Sequence, residues 1–218
     1  MTLILACGTR EIFDPTSLVE DYLDAARPRS HRFAWPLYDG LVTNGRADEL
    51  VTGDFLAPTL LGAKIDSDVM GGLVAIHPEL QKALSALPAL EHLADAGEEE
   101  CDAVAALWRP LDDTSVGTTD IKGSLVGKVL HRKRPGLVPV WDSRVFTFYR
   151  DAGCLLVPQG SHSWEEYMRQ LTRAMVGDLR ANADAFTELT MLAPAGGPPL
   201  TPLRALDIVV WMSQAAEA

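Results

Sequence analysis

One aspartate, Asp142, stands where a carboxylate can do chemistry. It lies in the run VPVWDSRV, directly before a segment at 143–151 whose apolar spacing predicts a short helix. The helix dipole favours a negative charge at that position, where the carboxylate can cap the helix, bind a ligand or act as a general acid or base. Arg144 is near enough in sequence to reach the same ligand, and Trp141 can either stack on a planar ligand or pack in the core. We predict Asp142 as catalytic and its two neighbours as ligand-binding.

Basic side chains cluster around this aspartate. Residues 120–150 contain seven lysines and arginines against two aspartates, a net charge of +5 in a chain whose formal charge is −11. Such an island concentrates an anion such as phosphate, sulfate or carboxylate, although a run of charges can equally be a solvated helix face. The residues predicted to hold the anion are Lys128, Arg132, Lys133, Arg134 and Arg144.

Three further side chains are candidates for the same site. His131 is a catalytic candidate because histidine titrates near neutral pH, and the adjacent cations would lower its pKa and favour the neutral base. Asp54 stands in the apolar run LVTGDFLAPTLL, where a carboxylate is costly unless it caps a helix, faces water or pairs with the basic island. Perturbed carboxylates concentrate in functional sites, so Asp54 is also a catalytic candidate. Tyr38, in the loop before it, is placed in the same cleft by chain proximity alone.

The usual patterns for metals and nucleotide cofactors do not occur in the sequence. No two histidines have metal-ligand spacing, and the acidic residues 98–102 lack the alternation and the glycine of a calcium loop. A helix N-terminus explains that acidic run better. There is also no GxGxxG, P-loop or GxSxG motif. We therefore expect neither a metal nor a cofactor.

Helical periodicity dominates the chain, and no alternating strand pattern persists. Predicted helices begin, in chain order, after Asp14, after Asp48, at Pro78 and at Glu98, and then occupy 121–131, 143–151, 164–191 and 203–215. The segments 29–45 and 192–202, the second rich in Gly and Pro, are predicted loops. We predict an all-α fold in a single domain over residues 1–218, with long amphipathic C-terminal helices.

The composition limits the class of protein. With 218 residues, 47% of them hydrophobic, the chain is not a disordered segment. No uncharged apolar run reaches the roughly 18 residues of a membrane span, and the apolar start is too short for a signal peptide. Cys7, Cys101 and Cys154 are far apart and form no CxxC pair, which favours reduced, buried or half-buried thiols in a cytoplasmic protein over a disulfide framework.

The segment DIKGSLVGKVLHRKRPGLVPVWDSRVF, residues 120–146, resembles a family of uncharacterised actinobacterial proteins. The stretches ADELVTGDFLAPTLLG at 47–62 and AALW at 105–108, together with Trp164, resemble the same family, so that the resemblance covers roughly residues 12–175. It implies common ancestry and brings no established activity. More distantly, the segment is similar to the core of the helix–hairpin–helix DNA glycosylases. That resemblance implies their helical scaffold and assigns Asp142 the role of assisting departure of a base.

The chain departs from the glycosylase pattern at three points. Where the hairpin of those enzymes has two glycines, this sequence has Asp120-Ile121-Lys122. Ser124 occupies the position of the Schiff-base lysine, and the four cysteines of an iron–sulfur cluster are absent from the sequence. These departures favour a retained scaffold with a different chemistry.

Three functions from different classes remain open. The first is a cofactor-independent enzyme, such as a biosynthetic tailoring enzyme, that performs an elimination, cyclisation or hydrolysis on a small anionic molecule, with Asp142 as acid or base and the basic island as anion clamp. The second is a non-catalytic subunit that docks a protein partner or a second copy through its charged surfaces. The third is a DNA glycosylase-like protein, which the net negative charge disfavours because binding to nucleic acid depends on neutralising phosphates.

Overall fold

The computed structural model is mainly helical and describes residues 1–24, 26, 34–42, 46, 48–113, 121–156 and 163–216. Within these residues the α-helices are α1 (Pro15–Leu23), α2 (Thr52–Leu56), α3 (Ser67–Ser85), α4 (Glu98–Ala105), α5 (Gly123–His131), α6 (Ser143–Asp151), α7 (Trp164–Ala181), α8 (Ala183–Thr190) and α9 (Pro202–Ala216). Short 3-10 helices occupy Ala57–Leu61, Leu93–Asp95 and Ala106–Leu111. The all-α prediction is confirmed. Asp120 and residues 29–33 and 43–45 of the predicted loop at 29–45 lie outside the described residues.

A two-stranded antiparallel hairpin at the start of the chain was not predicted. Its strands are β1 (Thr2–Leu5) and β2 (Arg10–Phe13), and the register pairs Thr2 with Phe13 and Leu5 with Arg10. Leu3 and Leu5 point into the core, while Thr2 and Ile4 face outward. The expectation that all three thiols are at least half-buried is wrong for Cys7, because the turn between the strands carries it outward. Strands of four residues carry too little alternation for a sequence pattern to separate them from a loop.

Several helix boundaries differ from those predicted. The prediction that a helix begins at Pro78 is wrong, since Pro78 lies inside α3. That helix begins at Ser67 because the Asp66 carboxylate accepts hydrogen bonds from the backbone N–H groups of Asp68 and Val69. The predicted helix at 164–191 is divided at Asn182 into α7 and α8. The predicted helices at 121–131 and 143–151 correspond to α5 and α6.

The C-terminal helix α9 positions the polar groups of the molecule's interior. It packs against α1, α6, α7 and α8, and most of its side chains are buried and apolar. Arg204 and Asp207 are the exceptions among its buried residues, with exposed fractions of only 3% and 4%. Charged side chains are rarely buried to this extent unless they are paired. No helix in the described residues is both long enough and apolar enough to cross a membrane.

Candidate functional site

Three helices converge on one cleft with a volume of about 190 Å³. α5 contributes one side, the start of α6 a second, and α9 a third, while Leu60 and Leu61 add apolar surface. The polar side chains that line this cleft are Tyr22, Lys128, Asp142, Arg204 and Asp207. Three predicted site residues, Lys128, Trp141 and Asp142, therefore line the same space.

Asp142 caps α6. Its Oδ1 accepts hydrogen bonds from the backbone N–H groups of Arg144 at 2.9 Å and Val145 at 3.3 Å. Its Oδ2 accepts a hydrogen bond from the indole N–H of Trp211 at 2.9 Å. The capping interpretation is thus confirmed, and the same carboxylate fixes an aromatic side chain of α9 in the wall of the cleft.

Arg204 binds two carboxylates at once. Its Nε and Nη2 donate to Oδ1 and Oδ2 of Asp39 at 2.8 and 3.1 Å, and its Nη1 donates to Asp207 on the next turn of α9. Nη2 also donates to the Tyr22 hydroxyl at 2.9 Å. The network ties the segment 34–42 to α9 and α1, and it is almost fully buried.

Burial raises the pKa of Asp207 to about 7. Loss of hydration is the largest cause; the Arg204 charge opposes it, whereas Asp142 and Asp39 favour the protonated form. Because Arg204 is shared between two buried carboxylates, it offsets the loss of hydration only in part. A carboxyl group with such a pKa gives and takes a proton at neutral pH, which is the property required of a general acid or base.

Lys128 supplies a cation to the cleft. It is half-buried, and burial lowers its pKa while Asp142 and Asp207 act in the opposite direction. Within the described residues its ammonium group forms no ion pair or side-chain hydrogen bond. An anionic group that enters the cleft can therefore bind to Lys128 without displacing a protein partner.

Two tryptophans give the cleft aromatic walls. The guanidinium carbon of Arg144 lies 4.2 Å from the centre of the Trp211 ring, a cation–π contact. Trp141 packs against Trp164 and Tyr167, with ring centres 5.9 and 5.2 Å away, and its buried indole N–H has no hydrogen-bond partner among the described residues. The structure thus confirms the core alternative for Trp141, whose ring also lines the cleft, while stacking on a planar ligand stays a prediction. Arg144 contacts Trp211, one of the two tryptophans in the wall of the cleft.

His131 and Tyr38 belong to a second pocket, of about 150 Å³, on the other side of Arg204. The Nδ1 of His131 lies 2.6 Å from the carbonyl oxygen of Val138, and burial, followed by the Arg204 charge, lowers the His131 pKa to about 4. The ring is therefore neutral at pH 7. Tyr38 stacks on it and donates a hydrogen bond from its hydroxyl to the Lys128 carbonyl oxygen at 2.6 Å. Both residues support the backbone behind the cleft.

The other basic residues are engaged by different parts of the chain. Arg132 donates to the carbonyl oxygens of Tyr38 and Asp39, and Arg134 donates to those of Pro88 and Leu90. These hydrogen bonds hold both side chains against the backbone, and the described residues that line the cleft do not include either of them.

Lys133 and Asp54 pair with each other. The Nζ of Lys133 lies 2.8 Å from the Asp54 carboxylate, and that carboxylate also accepts from the backbone N–H of Val51. Of the alternatives for Asp54, capping and pairing with the basic island both occur. In the described residues no group of histidine, cysteine and acidic side chains could hold a metal.

A comparison with protein families matches residues 15–214 to the family described as "Family of unknown function (DUF6308)". The chain belongs to this family. No curated protein and no solved structure matches it. The DUF6308 match extends from α1 to α9, so every residue of the cleft lies inside the family region. The predicted membership of a family without an assigned activity is confirmed, and the glycosylase resemblance stays a prediction.

Sequence reasoning missed the α9 part of this DUF6308 site. Arg204 and Asp207 are the charged residues of RALDIVVW, an otherwise apolar run, which is the same signal that marked Asp54. Applied to α9, that signal would have found both residues. Nothing in the sequence indicates that Asp39, 165 residues from Arg204, shares its guanidinium.

Proposed function

We propose that the chain is an enzyme that acts without a cofactor on a small molecule carrying one anionic group, by acid–base catalysis. The observation that carries this proposal is the convergence of Lys128 and Asp207 on one cleft. Lys128 has a cationic group without a protein partner in the described residues, and Asp207 has a pKa raised to about 7. Anion binding and proton transfer thus meet in one enclosed space.

The cleft residues have separate roles in the proposed reaction. Lys128 binds the anionic group of the substrate, and Asp207 transfers the proton. In this proposal Asp207 takes the acid–base role that the sequence assigned to Asp142, because three N–H donors already engage the Asp142 oxygens. Asp142 is then a positioning residue that holds Trp211 in the wall. The five predicted anion ligands reduce to Lys128, the one of them that lines the cleft among the described residues.

The size of the cleft restricts the reaction to small molecules. A volume of about 190 Å³ accommodates a compact metabolite better than a polymer. Elimination, cyclisation and hydrolysis all need a proton transfer at a substrate held in one orientation, and each fits a biosynthetic tailoring step. The groups described above are sufficient for any of the three.

An untargeted assay tests the proposal. The full chain is incubated with a protein-free extract of small molecules, and mass spectrometry records which compounds are consumed and formed. We expect consumption of an anionic compound by the wild type and by Lys82→Gln, a control at an exposed lysine of α3. Asp207→Asn and Lys128→Gln should each reduce the rate at least about 100-fold, within the range attributed to acid–base groups.

The pH profile distinguishes acid–base catalysis from a structural role of Asp207. The wild-type rate should change with an apparent pKa near 7. Asp207→Glu should retain activity, and this transition in its pH–rate profile should lie at a different pH. Consumption that persists unchanged in folded Asp207→Asn would contradict the proposal. A second polypeptide that co-purifies at fixed stoichiometry, with no compound consumed, would favour the non-catalytic subunit instead.

A second function is favoured by the position of Asp142. It caps α6, which follows α5 and an intervening loop, the order that the resemblance to helix–hairpin–helix DNA glycosylases implies. Trp141 beside it offers an aromatic surface for an extruded base. Duplex oligonucleotides with damaged or mismatched bases test this function. Abasic product formed by the wild type and lost in Asp142→Ala would replace the small-molecule proposal.

A further inference from the structure

An apolar groove adjoins the cleft at Leu60. This residue belongs to the 3-10 helix Ala57–Leu61, and it lines both the cleft and a groove of about 630 Å³. Residues of the segment 34–42, of α2 and of the 3-10 helix form the groove. The cleft and the groove are therefore neighbouring spaces that share one leucine side chain.

The groove exposes large aliphatic side chains to water. Val42, Leu56 and Leu60 are 88%, 50% and 38% exposed, and all three line it. Isolated exposed leucines are common on protein surfaces, but several that share one concave surface indicate a binding site for an apolar group. Such a group would remove these side chains from water on binding.

The groove offers little to a polar ligand. None of the described residues that line it has a charged side chain, and Thr52 and Thr59 are the ones with a hydroxyl group. The hydroxyl of Thr59 donates a hydrogen bond to the Leu56 carbonyl oxygen at 2.7 Å. The charged groups lie instead in the cleft, where Lys128 and Asp207 are on the far side of Leu60 from the groove residues. Polar and apolar binding surfaces are thus separate but adjacent.

We propose that the substrate is an anionic amphiphile, whose anionic group binds to Lys128 while its aliphatic chain passes Leu60 and lies in the groove against Val42 and Leu56. The inference rests on the proposed function and names the substrate class of the same cleft. In it, the groove residues determine specificity through the length of the aliphatic chain. They take no part in the proton transfer, which stays with Asp207.

The chain-length dependence of binding tests the groove without an activity assay. The full chain is titrated at pH 7 with straight-chain carboxylates from butanoate to decanoate, below the concentration at which decanoate forms micelles, and NMR measures each Kd. We expect the Kd to fall about 2–4-fold with each added methylene group, because each one leaves water for the groove.

Polar substitutions in the groove should remove this dependence. The double variant Val42→Asn/Leu56→Asn should bind butanoate as the wild type does but gain at most about 1.5-fold with each methylene group. Both positions are exposed, so the substitutions leave the core unchanged. Val74→Asn is the matched control, since Val74 is 53% exposed on α3 and lines neither the cleft nor the groove. It should keep the wild-type dependence.

Lys128→Gln separates this inference from the proposed function. The variant should raise the Kd of every carboxylate about 10-fold and keep the gain with each methylene group. Affinity that depends on Lys128 but not on chain length would overturn the amphiphilic substrate and leave the proposed function in place. A gain with chain length that the groove variant removes, together with no effect of Lys128→Gln, would contradict the proposed function and keep the aliphatic chain in the groove.

Other occupants of the groove would give different results. Light scattering of the full chain that shows a dimer for the wild type and a monomer for Val42→Asn/Leu56→Asn would assign the groove to a second copy and overturn the proposal. A chain-length dependence that persists unchanged in the double variant would overturn it as well, since the aliphatic chain would then lie elsewhere.

Discussion

Lys133 and Asp54 form an ion pair whose Nζ–Oδ2 distance is 2.8 Å and whose side chains are 3% and 0% exposed. The pair joins the residues after α5 to α2. Two charges in such a place are tolerated because each neutralises the other and the Asp54 carboxylate accepts a backbone hydrogen bond as well. Removing one partner would leave the other charge buried without its ion-pair partner.

We therefore expect Lys133→Met to lower the free energy of unfolding by about 3–5 kcal/mol, measured by urea denaturation. The double variant Lys133→Met/Asp54→Leu should recover much of that loss, since it buries no charge. Arg46→Ala is the matched control, because the pair between Arg46 and Asp48 is exposed and worth at most about 1 kcal/mol. A Lys133→Met loss no larger than that of the control would refute this account.

Two helical glycines should respond in opposite directions to substitution by alanine. A Cβ at Gly123 would lie 2.5 Å from the Trp164 ring, so Gly123→Ala should destabilise the chain by about 1–3 kcal/mol. A Cβ at Gly177, in α7, would meet nothing within 4 Å, so Gly177→Ala should stabilise it by about 0.5–1 kcal/mol. Thermal and urea unfolding of both variants measure the effects. Equal changes in the free energy of unfolding for the two variants would show that the contact with Trp164 does not restrict the size of the side chain at position 123.

The sequence predicted the part of the site whose residues are close to one another along the chain. Asp142 precedes an amphipathic segment, and both its capping role and the helix after it were found from residues within one turn. The charge of the basic island was equally evident, but its division among separate partners was not. Whether a guanidinium meets a ligand or a carbonyl oxygen depends on tertiary packing, as Arg134 and Pro88 show.

Long-range pairs were beyond the reach of the sequence. Arg204 and Asp39 are 165 residues apart. No periodicity encodes such a pair, because it forms only when segments that are distant in the sequence pack together. The half of the site on α9 therefore required the structure.

Asp39 should control the proton affinity of Asp207. It shares the Arg204 guanidinium and adds a negative charge, and both effects raise the pKa of Asp207. Asp39→Asn removes the charge and weakens the competition for Arg204, so the pKa of Asp207 should fall below its value of about 7. Carbon NMR of aspartate-labelled protein measures the shift, and Asp207→Asn identifies the resonance. Asp184→Asn, at an exposed position of α8, should leave that pKa unchanged.

Asp207 and His131 should give opposite pH dependences of stability. The pKa of Asp207 rises from 3.8 to about 7 on folding. Its contribution to the free energy of unfolding is therefore fully present below pH 3.8 and is lost as the pH rises through 7. The pKa of His131 falls from 6.5 to about 4, so its contribution is present above pH 6.5 and is lost as the pH falls through 4. Between about pH 4 and 6.5, the two groups therefore change the free energy of unfolding in opposite directions as the pH rises.

In Asp207→Asn, the pH dependence of the free energy of unfolding should therefore show the contribution of His131 without the opposing contribution of Asp207. Between about pH 4.5 and 6.5, the free energy of unfolding of this variant should rise by about 2–3 kcal/mol more than that of the wild type, because the opposing proton release is gone. Urea unfolding at the two pH values measures the difference, and Asp184→Asn should behave like the wild type. If Asp207→Asn and the wild type gave the same slope, Asp207 would be ionised throughout this range and would be unable to donate a proton at neutral pH.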